Sequence, residues 1–392
     1  MNEASGSDYV AGARALAPMI AAEADAIERE RRLTPAVVKA LIEGGFYRLL
    51  LPKSVGGAEV APQIFMAVVE EIGKADASTA WCLGQCGVCA MVAAYLDHDC
   101  AREIFDPYPG ILAWGSAAGE VQAVDGGYRA TWRWTFASGC RQASWLGAHV
   151  HVIEKDGKKR LKADGTPEQR TILFPLASAQ LHDVWDVIGL KGTGTDNYSV
   201  ENLFVAEHFA AKRDDPMARH EPGPLYRLTT SIVYGLGFAA IALGVARASL
   251  DAATALMRGK AQSQVKQAMR QNNAVQAELG RNEAKLRSAR AYLYGAVEKV
   301  WHDLNAQPSE LTKEHRVDMR LASTWAIHQA AAVVDSAYHM AGATAVFHSN
   351  PFERRFRDIH AIAQQIQARD IHYETVGQVM LDLDPDSPVF AT

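Results

Sequence analysis

The chain has 392 residues, 48% of them hydrophobic and 22% charged, and a formal net charge of −5. This is the composition of a globular chain with more than one packed unit, and no internal repeat or low-complexity segment is evident. The acidic balance gives no footprint for nucleic acid or an anionic membrane, the N-terminus lacks a basic-then-apolar leader, and no apolar run reads as a membrane span. A cytoplasmic enzyme is the expectation.

The first elements read as helices. From Val10 to Arg31 the apolar positions Leu16, Ile20, Ala24 and Ile27 recur at helical spacing. Thr34 is placed to cap a second helix that begins at Pro35 and ends at Gly44-Gly45. Gln63–Lys74 and Ser78–Tyr95 read as two more. Cys82, Cys86 and Cys89 have the spacing C-x3-C-x2-C, which can hold a three-ligand iron–sulfur cluster. They lie in an apolar helical run, where cysteine acts as a small hydrophobe, and that second reading leaves no metal site expected.

The period then changes to two. Tyr128, Ala130, Trp132, Trp134 and Phe136 alternate with Arg129, Thr131, Arg133 and Thr135 after the turn residues Asp125-Gly126-Gly127. Further short strands are expected at Gly147–Glu154, Thr171–Leu176, His182–Val187 and Tyr198–Val205. A proline-rich linker, Asp214–Pro224, leads into four long helical stretches: Leu225–Met257, Ala261–Ala306, Glu310–Ala341 and Phe352–Leu381.

Four segments carry a family resemblance. Phe46–Gly57, Trp134-Thr135-Phe136-Ala137-Ser138-Gly139-Cys140, Gly189–Thr195 and Asn350-Pro351 through Asp358 resemble, in order and spacing, the acyl-CoA dehydrogenase superfamily. The resemblance implies a mainly α fold with a small β domain: an N-terminal helical domain (residues 1–105), an antiparallel β barrel or sandwich (106–212) and a C-terminal four-helix bundle (225–392). The Phe-Ala-Ser-Gly-Cys run and the tail from Thr375-Val376-Gly377 to Asp382-Leu383-Asp384-Pro385 are most similar to the oxygenase components of two-component flavin monooxygenases. Those enzymes take reduced flavin (FMN or FAD) from a separate NAD(P)H:flavin reductase. They react it with O2 to a C4a-hydroperoxide, hydroxylate an aromatic or heteroaromatic small molecule, and assemble as homotetramers.

The same resemblance suggests roles for particular residues. Ser138 faces flavin or substrate; the competing reading is a strand-end serine satisfying backbone. Trp134, Phe136 and Ala137, with Thr193 and Thr195 of the second flavin-side loop, meet the isoalloxazine, or else fill the sheet core. Arg258 and Gln276, together with Ser349 and Asn350 at a helix start, hold a flavin phosphate; the alternatives are a solvated helix face and an ordinary N-cap. Trp81, Trp114, Tyr234 and Phe238 wall an aromatic substrate pocket, or pack as core.

Two positions depart from the family pattern. Gln142 stands where a histidine is common. Gln365 and Ile366 stand where dehydrogenases carry a carboxylate base and oxygenases a histidine. Glutamine cannot transfer a proton near neutral pH. His360 and His372 are the nearby histidines, and on a continuous helix His372 falls two turns beyond Gln365 on the same face. A flavin dehydrogenase or oxidase is the competing activity. A non-catalytic flavin-binding homologue is a third reading.

Overall fold

The computed structural model describes residues 5–106, 108–259, 268–307 and 309–385. The first part of the helix expected from Ala261 lies outside these residues. The chain opens with α1 (Gly6–Glu30), α2 (Pro35–Glu43), α3 (Pro62–Ala75), α4 (Ala77–Ala90) and α5 (His98–Phe105). Thr34 Oγ1 accepts from the Val37 amide at 3.4 Å with Pro35 in the first turn, so the cap forms as its residues require. Asp76 caps α4 through the Thr79 amide at 2.6 Å.

Eight strands follow: β1 (Leu112–Trp114), β2 (Gly119–Val124), β3 (Gly127–Ala137), β4 (Trp145–Ile153), β5 (Gln169–Pro175), β6 (Gln180–His182), β7 (Asp196–Ala206) and β8 (Ala210–Ala211). They form one sheet in the order β6-β7-β3-β2-β4-β5-β8, with β1 also paired to β4. The sheet is not antiparallel throughout, because β4 runs parallel to both β1 and β2. β3 loses register with β7 between Trp134 and Ala137, and Phe136 there takes φ 60°. The bulge turns Phe136 outward, 60% exposed, while Trp134 is fully buried on Tyr198.

The C-terminal part holds α6 (Thr230–Gly259), α7 (Asn273–Ala306), α8 (Lys313–Ala341), α9 (Phe352–Ala363) and α10 (Ile371–Met380). The stretch expected as one fourth helix is broken. Gln365 leaves helical backbone (φ −70°, ψ 151°), and its side chain accepts from the Gln367 amide at 2.6 Å. A short 3-10 turn, Ile366–Ala368, then separates α9 from α10. The helix start also differs from expectation. Pro351 is the N-cap of α9, and the Asn350 side chain reaches Ser349 rather than the helix.

By length and composition two helices could cross a membrane, Ala77–Tyr95 and Thr230–Gly259, contrary to the sequence expectation. Their most apolar windows are 94% and 78% buried within the fold, so the apolar residues are used in packing. α6 is the central column. At Gly244 a Cβ would lie 2.3 Å from the Glu70 carbonyl oxygen of α3, so only glycine permits that approach.

Candidate functional site

The site forms where β3, the loop before β7, α4 and α6 converge. Ser138, at the end of β3, is 6% exposed. Its Oγ accepts from Trp81 Nε1 at 3.0 Å and lies 2.7 Å from Thr195 Oγ1. Thr195 lies 2.7 Å from Thr193 Oγ1, and Thr193 donates to the Leu190 carbonyl at 2.8 Å. Each hydroxyl has one proton, so these contacts run in one direction. Trp81 donates to Ser138, Ser138 to Thr195, Thr195 to Thr193, and Thr193 to the backbone. Ser138 is left with one free lone pair and no free proton.

Behind Ser138 stand aromatic rings. Trp81 of α4 stacks on Phe238 of α6 with centroids 3.8 Å apart and planes within 5°, and Phe238 stacks on Tyr234 at 5.5 Å. Tyr234 Oη accepts from Gln85 Nε2 at 3.0 Å and lies 3.3 Å from Cys89 Sγ. Trp114 is buried on β1, edge-on to His149, with the Arg213 guanidinium over its ring at 5.4 Å. The helical spacing of Trp81, Gln85 and Cys89 turns one face of α4 toward α6.

The other expected residues fall into three groups. Trp134 gives its Nε1 proton to the His149 carbonyl and is fully buried, so its side chain is sheet core and cannot lie against a cofactor. Phe136 meets Trp185 edge-on at 6.2 Å and stays exposed, and Ile188 in the same segment is 70% exposed. Ala137 is buried beside Asp196 of β7.

Gln142 lies with Arg141 in a cavity of about 510 Å³ beside α2, and its Nε2 is buried without a partner. Arg141 forms a two-pronged pair with Asp196 at 2.7 and 3.1 Å. Five cysteines are buried, and burial raises the thiols of Cys82 and Cys140 to about 12. No three-residue metal cluster occurs among the described residues.

The break after α9 separates Gln365 from His372. They do not share a helix face. His372 is 1% exposed and donates from Nε2 to the Ile366 carbonyl at 2.7 Å, which fixes the backbone beside the site. Burial and the charge of Arg320 lower its pKa, so it is neutral. Ile366 itself is 40% exposed. Gln367 and Arg320, both 4% exposed, bond to one another beneath it. Neither stood out in the sequence. The available signal was a charge at 320 on the same helical stripe as Ser323, Thr324 and Ile327.

Arg258, Gln276, Ser349 and Asn350 do not join this group. Arg258 lies 20 residues beyond Phe238 on α6, about 30 Å along the axis. It is exposed and has no partner among the described residues. Gln276 bonds the Arg270 carbonyl at 2.9 Å. His360 pairs with Asp335 at 3.0 Å.

Residues 11–104 match the N-terminal domain, and residues 236–369 the C-terminal domain, of acyl-CoA dehydrogenase. The chain belongs to the acyl-CoA dehydrogenase superfamily. Within it, the chain is 29% identical over 369 residues to indole-3-acetate monooxygenase of Pseudomonas putida, covering 91% of this chain and 90% of the relative. The HsaA monooxygenase of M. tuberculosis superposes with a TM-score of 0.90 at 25% identity, covering 98% of this chain and all (100%) of that one. XiaF from a Streptomyces species, solved with FADH2 and glycerol, gives a TM-score of 0.90 at 22% identity over 98% and 97% of the two chains.

The residues present fit the flavin this superfamily binds. A reduced isoalloxazine carries an N–H on its central ring where the oxidised ring has a bare nitrogen. Ser138 offers a lone pair without a proton, which suits the reduced form. Phe136 and Ile188 offer exposed apolar surface to a flat ring.

Proposed function

We propose that this superfamily member is the oxygenase component of a two-component flavin monooxygenase. It takes reduced FMN or FAD from a separate reductase and hydroxylates an aromatic or heteroaromatic small molecule with O2. The observation that carries this reading is at the α9 break. A dehydrogenase needs a carboxylate there to remove an α-proton. This chain presents Ile366, 40% exposed, beside Gln365, whose amide oxygen is committed to Gln367. The carboxylates on either side are unavailable: Asp358 is buried on the Leu190 amide at 2.6 Å, the Asp370 side chain is 87% exposed, Glu353 pairs with Arg357 at 2.7 Å, and Glu374 is on the exposed side of α10.

Reduced flavin, when bound, supplies the electrons that activate oxygen. This chain's residues do the rest. Ser138 accepts a proton donor at the ring edge. Trp81, Tyr234 and Phe238 close the substrate side with apolar surface and keep water out. His372 and Gln365 hold the Ile366 turn in place.

The assembly that goes with this reading is a homotetramer. Arg258, about 30 Å along α6 from Phe238, serves the flavin of a second copy in it. A cytoplasmic location accords with a partner reductase that draws on NAD(P)H.

The test is incubation with a flavin reductase, NADH, FMN or FAD, and indole as probe under ¹⁸O2. Label in a hydroxylated product supports the oxygenase. Oxidation of an acyl-CoA with reduction of bound flavin, and no label, would establish the dehydrogenase instead.

A further inference from the structure

Arg320 is buried to 4% exposure, yet its guanidinium meets only neutral partners. It donates to the Gln367 side-chain oxygen and to Ser231 Oγ at 3.3 Å. No carboxylate pairs with it among the described residues, and burial alone sets the direction of its pKa, down to about 10. Taking a cation out of water without an opposite charge is costly, so an uncompensated buried arginine calls for a missing anion.

The neighbourhood adds to the deficit. Arg213 Nε and Arg316 Nη1 are buried N–H groups without partners. Arg316 is one turn before Arg320 on α8, and Arg213 bonds Thr230, the residue next to Ser231. The carboxylates that face this group are already committed. Asp214 holds Arg213 at 3.1 Å and the Thr230 amide at 2.9 Å, and Glu310 holds Arg219. The guanidinium also lies against α6 at Gly235, where a Cβ would be 3.6 Å from Arg320 Nη1 and 3.3 Å from Ser323 Oγ.

Ser231, Gly235 and Phe238 form one stripe on α6 at i, i+4 and i+7. Arg320, which meets both Ser231 and Gly235, is therefore about 5–10 Å along the axis from Phe238. Phe238 stacks on Trp81, and Trp81 holds Ser138. We propose that Arg320 binds the carboxylate of an aryl-acid substrate whose ring lies among Trp81, Tyr234 and Phe238 and faces Ser138. The separation suits a ring carrying its acid on a short side chain. This deepens the monooxygenase reading and rests on it.

The test is binding, measured anaerobically by equilibrium dialysis on protein loaded with reduced FMN. The probes are indole-3-acetate against 3-methylindole, and 4-hydroxyphenylacetate against 4-methylphenol. Wild type is expected to hold each acid at least about tenfold more tightly than its neutral partner, the size of a charge-assisted hydrogen bond. Arg320→Gln abolishes that preference and leaves neutral binding within about twofold, while Arg320→Lys keeps part of it. Ser231→Asp places a carboxylate beside the guanidinium without removing it, and abolishes the preference by occupying the site. Equal binding of acid and neutral probes by wild type overturns the proposal, as does a preference that survives Arg320→Gln or Ser231→Asp. If the preference is present and depends on Arg320, but reduced flavin and O2 yield no hydroxylated product, the anion site stands and the monooxygenase reading falls.

Discussion

The Asp358 carboxylate accepts the Leu190 amide proton at 2.6 Å, across 168 residues of sequence. Next to it, Arg357 donates to the Ile188 carbonyl at 2.7 Å. The Arg-Asp pair of α9 thereby clamps the loop that carries Thr193 and Thr195, and so sets the direction of the hydrogen-bond chain at Ser138.

The clamp leaves no room at Gly189, where a Cβ would sit 2.1 Å from the Arg357 carbonyl oxygen. Gly189→Ala is expected to cost about 1–3 kcal/mol, the usual penalty for overpacking. It should weaken flavin binding as well, because the threonine loop must move. Urea unfolding and flavin titration measure the two effects. Unchanged values for both would mean the loop is not held by α9.

Asp358 also gives a pH dependence. Burial, with Asp76 nearby, raises its pKa from 3.8 to about 7. The folded state therefore holds a proton that the unfolded chain releases near pH 4. Stability from this group is full below pH 4 and is lost as pH rises through about 7. Asp358→Asn keeps the acceptor for Leu190 and removes the titration. Relative to wild type, the variant should be least stable near pH 5 and gain ground by pH 8. Parallel urea midpoints across that range would refute the shift.

Thr195→Val tests the direction of the chain. Without its acceptor, Ser138 regains a free proton and can donate to the bare nitrogen of oxidised flavin. The ratio of oxidised to reduced flavin dissociation constants should fall about fivefold to tenfold, the value of one hydrogen bond. Equilibrium titrations of both redox forms read this directly. A ratio equal to wild type would mean Ser138 is not the flavin-edge acceptor.

Trp81→Phe removes the Nε1 proton from Ser138 but keeps a ring on Phe238. Stability should drop by about 1 kcal/mol. Hydrogen peroxide should rise at the expense of hydroxylated product, since the wall that keeps water out is loosened. Calorimetry and peroxide-to-product ratios report these changes, and full coupling in the variant would remove Trp81 from the site.

The buried thiols are inert as folded. With thiols near pKa 12, about one in ten thousand of Cys82, Cys89, Cys100 and Cys140 is thiolate at pH 8. Iodoacetamide should label the chain only after denaturation. Rapid labelling of native protein at any of the four would show that the packing around that thiol opens locally.

Much of this was legible in sequence. Periods of 3.6 and 2 located α1, α2 and β3, because burial on one face of an element writes that repeat into the chain. The motif around Ser138 and the lack of a carboxylate at Gln365 and Ile366 were readable from residue type. What only the tertiary structure decided depends on partners distant in sequence. Trp134 became core because a bulge reversed Phe136. His372 left the face of Gln365 because that glutamine bonds its own turn and stops α9. The proton order through Ser138 needed Leu190 held by Asp358, and Arg320 is a charge without a counterion only once α6, α8 and the Ile366 turn close around it. Local pattern records which face is buried; it does not record what that face meets.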